Sequence, residues 1–134
     1  MRVKLGTLVA GVGFFYAAVP VAAHHSFATE YDATKRVSLT GVVTEVQWTN
    51  PHMHVHVDVT DADGTVTNWN LELTSPNTVR RQGWGRNSLL PGDEVLFEAY
   101  MGKVVETRGA LARIAKAEAP DQPLFVGGGP QGVN

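Results

Sequence analysis

The fold of this chain is decided by residues 54–73, whose sequence is HVHVDVTDADGTVTNWNLEL. Valines alternate strictly with polar residues over positions 54–60, which is the period of a half-buried β-strand. A second alternating run begins at Thr65, and its apolar side chains again share one face: Trp69, Leu71 and Leu73. Between the runs, Asp61–Gly64 has the composition of a type I turn closed by a glycine in the left-handed conformation. The stretch therefore predicts a β-hairpin.

The turn also predicts which residues lie opposite each other. If Asp61 pairs with Thr65, the register gives Val57 opposite Trp69, His56 opposite Asn70 and His54 opposite Glu72. Apolar residues then meet apolar ones and polar residues meet polar ones, whereas a shift of one residue would mix the two faces throughout. The register places an amide and a carboxylate on the strand beside the histidines.

The neighbouring segments extend the β pattern. Residues 37–48 are rich in β-branched and aromatic residues, and Gly41 within them predicts a bulge or a bend. Thr49-Asn50-Pro51 is a turn signal. Alternation predicts a strand over residues 94–100, and another is expected at 109–117.

One short helix interrupts the strands. Ser75 followed by Pro76 is typical of a helix cap and first turn, and Gly83 can end a helix over residues 77–82. We therefore predict an all-β fold, a five- to six-stranded antiparallel OB-like barrel with one short helix between strands 3 and 4.

The first 23 residues have the features of a secretory signal peptide. Arg2 and Lys4 are positively charged, residues 5–19 are almost wholly apolar or glycine, and residues 21–23 form a cleavage pattern. A single membrane anchor is the alternative, but the apolar run is short and no stop-transfer flank follows it. We expect cleavage after Ala23, a periplasmic or secreted protein, and no stable membrane span after cleavage.

The predicted domain organisation follows from that cleavage. Residues 1–23 are the signal peptide, residues 24–117 form the OB-like domain, and residues 118–134 form a flexible tail rich in proline and glycine. No internal repeat is visible.

Composition excludes several functions. The chain has no cysteine, so it has no disulfide, thiolate ligand or cysteine nucleophile. Without Arg2 and Lys4, 9 of its 11 basic residues remain against 13 acidic residues, a net charge of about −4. This acidity argues against nucleic acid as a partner. No hydrolase, nucleotide-binding or haem-attachment motif is present, so an ordinary enzyme is not indicated.

All five histidines fall in two clusters, and imidazole is the commonest protein metal ligand. His52, His54 and His56 share one face of an extended strand, but their spacing near 7 Å is too long for all three to bind one ion without bending. Pro51 makes His52 a turn residue that could swing inward. The alternative is a solvated polar face.

The second cluster, His24 and His25, would begin the mature chain. The free amine and ring of His24, with one further imidazole, could form a T-shaped site suited to Cu(II), or His25 could complete a square-planar site. A frayed, inactive terminus is the alternative. Phe27 and Tyr31 could dock this arm on the barrel and bring His24 to the other histidines.

Other candidate side chains take supporting roles. Glu72 and Asn70 are predicted to lie behind the metal ligands, because a ligating histidine usually gives its second N–H to such a group. Asp58 and Glu30 are interpreted as solvated. Trp69 and Trp48 are assigned to the core, whereas Trp84, between two glycines, is expected to be exposed. The surrounding arginines are interpreted as a solvated helix face: Arg80, Arg81 and Arg86.

The sequence resembles a family of small exported bacterial proteins catalogued as a domain of unknown function. The resemblance spans roughly residues 24–117, and its most specific blocks are His24-His25-Ser26-Phe27 and Thr49-Asn50-Pro51-His52. Later matching blocks are Trp69-x-Leu71-Glu72-Leu73-x-Ser75-Pro76-Asn77, Gly83-Trp84 and Leu90-Pro91-Gly92-Asp93. It implies a periplasmic OB-like barrel and no particular activity. Members often carry an apolar or aromatic residue at positions 54 or 56, which favours His24, His25 and His52 as ligands.

We therefore expect a periplasmic copper-binding carrier or buffer, with zinc and nickel as alternative metals. Its first ligands would be His24 and His52, with His25, His54 and His56 supplementary. A different hypothesis is a metal-free OB-type interaction module that docks a periplasmic protein or a glycan through a surface around Trp84. A third is a copper oxidase that uses the N-terminal site.

Overall fold

The computed structural model describes residues 27–127, which contain two short helices and six strands. In chain order they are α1 (Phe27–Glu30), β1 (Tyr31–Gln47), β2 (His54–Thr60), β3 (Val66–Glu72), α2 (Pro76–Arg81), β4 (Glu94–Gly102), β5 (Arg108–Lys116) and β6 (Phe125–Val126). The predicted signal peptide, its cleavage point, His24 and His25 lie outside the described residues, as do residues 128–134.

The strands form a closed ring. Their order is β3-β2-β1-β4-β5-β6, and β3 also pairs with β5, so the first five strands return on themselves. The β3–β5 pair is parallel, and the other pairs are antiparallel. With α2 between β3 and β4, this confirms the predicted all-β class and its OB-like order.

The β2–β3 hairpin has the predicted register. His54 lies opposite Glu72, His56 opposite Asn70, and Val57 opposite Trp69. At the turn, the Asp61 amide donates to the Thr65 carbonyl at 2.8 Å, and Gly64 has a φ of 86°. A glycine is needed there because other residues rarely adopt a positive φ.

The interior of the ring is filled by the apolar faces of these strands. Val57 and Trp69 face inward from the hairpin, and Phe97 reaches them from β4, with its ring centroid 5.8 Å from that of Trp69. Burial of such side chains removes apolar surface from water, which is the main stabilising contribution in a domain of this size. The fully buried large side chains are Phe97, Met53, Leu71, Leu89, Leu111, Ile114, Val43, Val55, Val57, Val79 and Val95.

Strand β1 differs from its prediction in two ways. It begins at Tyr31, earlier than expected, because its first part pairs with β4. The sequence predicts a bulge or a bend at Gly41, but the irregularity in the pairing with β2 lies between Val43 and Glu45, so the bulge is wrong. Gly41 instead marks a close approach, since an added Cβ would lie 2.5 Å from the carbonyl oxygen of Asp58.

Helix α2 forms where the sequence predicts it. The Ser75 hydroxyl accepts from the Thr78 amide at the first turn, Pro76 occupies the start of the helix, and Gly83 follows its end with a φ of 97°. Among residues 27–127, neither helix is long and apolar enough to cross a membrane.

The chain remains packed beyond residue 117, where a tail was expected to begin. Strand β6 pairs with the end of β5, and the Phe125 ring is almost completely buried. The indole N–H of Trp84 donates to the Leu124 carbonyl, which lies in this returning segment. Trp84 is only 5% exposed, so its predicted exposure is wrong: the segment after Pro120 covers it.

Candidate metal site

The described histidines lie at one end and along one face of the β2–β3 hairpin. His54 and His56 are half-buried on the polar face of β2, and His52 is in the loop just before the strand. That loop continues the hairpin pairing, because the Met53 amide donates to Thr74 and the Leu73 amide donates to Met53. The Thr49 hydroxyl donates to the His52 carbonyl at 2.9 Å. These bonds fix the backbone that carries His52.

Each of the three imidazole rings places Nδ1 against an oxygen of the neighbouring segment. The distances are 3.1 Å from His52 to the Leu73 carbonyl, 2.7 Å from His54 to Asn70 Oδ1, and 3.3 Å from His56 to Asn68 Oδ1. We assign the hydrogen to Nδ1 of each ring, because a carbonyl oxygen can only accept. In the neutral ring Nε2 then holds the lone pair, and this is the nitrogen that a metal ion can use.

The amide of Asn68 is itself oriented by its neighbours. Its Nδ2 donates to Asp58 Oδ1 at 2.7 Å and to Thr44 Oγ1 at 3.4 Å, so Oδ1 is the atom that faces His56. On the other side of this ring, His56 Nε2 is shielded from solvent and has no hydrogen-bond partner within the described part of the chain. Leaving a buried acceptor without a donor costs about 1–3 kcal/mol of desolvation free energy.

Glu72 joins His52 to the beginning of the described chain. The Tyr31 hydroxyl donates to Glu72 Oε2 at 2.6 Å, and Glu72 Oε1 lies 3.7 Å from His52 Nδ1. Arg108 approaches the same carboxylate at 3.7 Å. Burial raises the pKa of the Tyr31 hydroxyl, and the bond to Glu72 and its negative charge raise that pKa further. The hydroxyl therefore stays protonated and keeps donating.

Helix α1 is docked beside this carboxylate. The Phe27 ring lies 5.4 Å from the Tyr31 ring and packs edge-on against Tyr100 at 5.4 Å, between centroids. The Lys103 amide donates to the Glu30 carbonyl at 2.9 Å. These contacts place Phe27 and Tyr31 against the sheet, as predicted, whereas the predicted approach of His24 to the other histidines lies outside the described residues. Three residues of extended chain span about 10 Å, which limits how far His24 can lie from Phe27.

The rings of His54 and His56 do not form hydrogen bonds with the residues directly opposite them in the β2–β3 ladder. Each contacts a polar group two residues away, on the diagonal. Glu72 lies opposite His54 in the ladder, but its carboxylate is near His52, and Asn70 contacts His54, not His56. Asn68, which sequence reasoning did not select, contacts His56. These contacts could have been predicted from the register, because a long side chain also reaches the residue two positions from its direct partner on the neighbouring strand.

The described residues do not by themselves form a complete metal centre. Within residues 27–127, no three histidine, aspartate or glutamate side chains are grouped closely enough to hold an ion. This agrees with the strand spacing, which keeps His52, His54 and His56 from converging.

Fold and site define a small all-β protein with an OB-like strand order and a row of histidines on one sheet face. More particularly, the chain belongs to the family of unknown function DUF6152, whose sequence profile matches residues 13–112. This confirms the resemblance to a domain of unknown function. A comparison with curated proteins gives no match.

Proposed function

We propose that this protein binds copper in the periplasm and carries or buffers it. The proposed ligands are the amine and ring of His24 together with His52, and the supplementary ligands are His25, His54 and His56. One observation carries the proposal: Nδ1 of each described histidine lies within hydrogen-bond distance of an accepting oxygen on the β3 side of the hairpin, which leaves Nε2 for a metal.

This arrangement matches what metal-binding histidines require. A ligating imidazole usually donates its second N–H to a carbonyl or carboxylate, which fixes the ring and raises its basicity. His52 has both kinds of acceptor nearby, the Leu73 carbonyl at 3.1 Å and Glu72 at 3.7 Å. A solvated histidine has no need of such partners, since water satisfies both nitrogens.

The docked arm supports the participation of the N-terminus. Tyr31 binds the same carboxylate that lies beside His52, and Phe27 packs on Tyr31, so a continuous series of contacts links residue 27 to His52. If the signal peptide is cleaved after Ala23, a free amine and two imidazoles lie within about 10 Å of chain from that point. They would supply the ligands that residues 27–127 lack.

The ligand set favours Cu(II). The chain has no cysteine, so all strong donors are nitrogens, and the affinity of nitrogen sites for divalent metals peaks at copper. Zinc and nickel remain the alternative metals. We assign carriage to the protein, not catalysis, because its sequence has no hydrolase, nucleotide-binding or haem-attachment motif.

Calorimetric titration of Cu(II) into protein that starts at His24 tests the proposal. We expect one tight site, weakened at least about 100-fold by the double change His24→Ala and His52→Ala, because two ligands are lost. A protein with one residue added before His24 should also bind weakly, since its amine is displaced. The matched control changes Asp93→Asn and Glu118→Gln, which line a small cleft elsewhere. Equal affinity in the double variant and the parent would overturn the proposal.

A metal-free interaction module is the second candidate function. The surface expected around Trp84 does not exist, because that side chain is buried. One observation nevertheless favours docking of a partner: two exposed arginines, Arg80 and Arg86, lie over the ring of Trp48. Binding that persists with a chelator present would distinguish this function from metal carriage.

A further inference from the structure

A second surface of the protein consists of Trp48, Arg80 and Arg86, which we call the Arg–Trp surface. Trp48 is half-buried just after the end of β1, where its inner side packs against the core. The guanidinium carbons of Arg80, on α2, and Arg86, in the following loop, each lie 5.6 Å from the centre of the indole ring. At this distance the electron-rich ring attracts and orients a guanidinium group.

These arginines have no acidic partner among the described residues, unlike four of the other basic side chains. Four basic side chains form ion pairs with carboxylates: Lys35, Arg36, Arg108 and Lys116. Lys103 and Arg113 instead donate to backbone carbonyls. Within residues 27–127, no carboxylate lies within ion-pair distance of Arg80, Arg81 or Arg86, although the chain as a whole is negatively charged.

We propose that the Arg–Trp surface docks an acidic segment of a partner protein. Guanidinium groups present their donors in a planar fork that matches a carboxylate, and stacking on Trp48 holds two of them in place before any partner arrives. Less side-chain freedom is then lost on binding. Tryptophan and arginine are also the residues that contribute most to protein–protein binding energy.

The charge distribution favours a protein over a membrane or a nucleic acid. Membrane-surface binding through basic residues typically uses four to eight cations, and this surface has two, with Arg81 beside them. Nucleic acid would also meet the net negative charge of the remaining chain. A short acidic segment needs only the local cluster.

The Arg–Trp surface adjoins the candidate metal site. Three residues lie between Trp48 and His52, so four steps along the chain limit the distance between their Cα atoms to about 14 Å. The helix that carries Arg80 begins just after Thr74, whose carbonyl accepts from the Met53 amide. A partner docked here would lie beside His52. The docking proposal does not rest on metal binding, and its test is done with a chelator present.

Fluorescence anisotropy with a labelled octaglutamate peptide tests the docking surface. The full mature chain is titrated at low salt with EDTA. We expect saturable binding that weakens with added salt, and a roughly tenfold loss of affinity in the double variant Arg80→Gln, Arg86→Gln. The control variant Lys35→Gln, Lys103→Gln removes the same charge from two other exposed positions and should bind as the parent does.

A third variant separates orientation from charge. Trp48→Leu keeps every charge but removes the ring that holds the two guanidiniums, and we expect roughly threefold weaker binding. Circular dichroism checks that each variant is folded. The proposal is overturned if the parent does not bind octaglutamate at millimolar concentration, if both double variants lose affinity equally, or if anionic vesicles of phosphatidylglycerol bind through these arginines and the peptide does not.

Discussion

The two faces of strand β2 carry alternate residues of one short segment and serve different purposes. Val55 and Val57 are completely buried and Val59 is 7% exposed, whereas His54, His56 and Asp58 are half-buried and contact polar groups. The apolar face fills a close-packed interior, where volume and polarity are tightly constrained. On the polar face, side chains of β2 form hydrogen bonds with side chains of β3. Folding therefore depends mainly on the first face, and the second carries two of the proposed ligands, His54 and His56.

A substitution by aspartate should change the free energy of unfolding far more on the apolar face than on the polar face, and this is the largest effect that we expect. Val57→Asp places an unpaired carboxylate in the core and should lower the free energy of unfolding by more than about 4 kcal/mol, enough to abolish cooperative folding. His56→Asp, one residue away, should change it by less than about 1 kcal/mol. Urea denaturation followed by circular dichroism measures both. Similar losses in the two variants would contradict the division between the faces.

Strand β1 lies very close to the backbone and buried side chains of β2 at Gly41. Gly41→Ala would bring a methyl group within 2.5 Å of the Asp58 carbonyl oxygen and 2.6 Å of Val57 Cγ1, so the strands must shift. We expect a loss of about 2–3 kcal/mol in the free energy of unfolding. The control is Gly85→Ala, where an added methyl meets no atom within 4 Å; it should stay within about 0.5 kcal/mol.

The hydrogen bond from Tyr31 to Glu72 joins the start of β1 to the polar face of the hairpin. Tyr31→Phe removes the bond to Glu72, whose side chain is only 15% exposed, and should lower the free energy of unfolding by about 1.5 kcal/mol. The control Tyr100→Phe should have little effect, since the contacts of Tyr100 are made by its ring. Thermal denaturation distinguishes the two variants.

Tyr31 also gives a pH dependence whose sign is fixed. Its pKa is raised in the folded state, so its contribution to stability is complete below the ordinary tyrosine pKa of about 10 and is lost as the pH rises through the folded value. Wild-type stability should therefore fall in strong base more steeply than that of Tyr31→Phe. Parallel curves for the two proteins would contradict this role.

The smallest expected effect is at the turn that aligns the faces. The Thr65 amide donates to Asp63 Oδ1 at 2.9 Å, and this bond lowers the pKa of the Asp63 carboxyl below its ordinary value of 3.8. Its contribution to stability is present above that value and disappears as the pH falls through the folded pKa. An NMR titration of the carboxyl group should show the lowered midpoint. A midpoint at or above 3.8 would exclude this bond in solution.

The hairpin was predictable because its two signals agree. Strict alternation assigns Val57 and His56 to opposite faces, and the Asp61–Gly64 turn permits only one register without mixing them. Helix α2 was predictable for a similar reason, since Ser75, Pro76 and Gly83 each act within one turn of chain. Local chemistry was sufficient for these elements.

Features that depend on distant segments were not predictable. Trp84 looked exposed because glycines flank it, and only the return of residues 124–126 buries it. The pairing of Trp48 with Arg80 and Arg86 joins three irregular or helical positions with no shared periodicity. Within the candidate site, the register predicted that polar groups lie beside the histidines. The sheet twist decides which of them each ring meets.

We propose that the polar face of the hairpin holds Nδ1 of each described histidine and leaves Nε2 for a metal. Long-range ¹⁵N–¹H NMR correlations of the imidazole rings, recorded on metal-free protein starting at His24 at a pH where the rings are neutral, test it directly. We predict hydrogen on Nδ1 of His52, His54 and His56, and a large shift of the His52 Nε2 resonance when one equivalent of Zn(II), a diamagnetic probe, is added. Hydrogen on Nε2 in these rings, or an unchanged His52 resonance with zinc, would contradict the account.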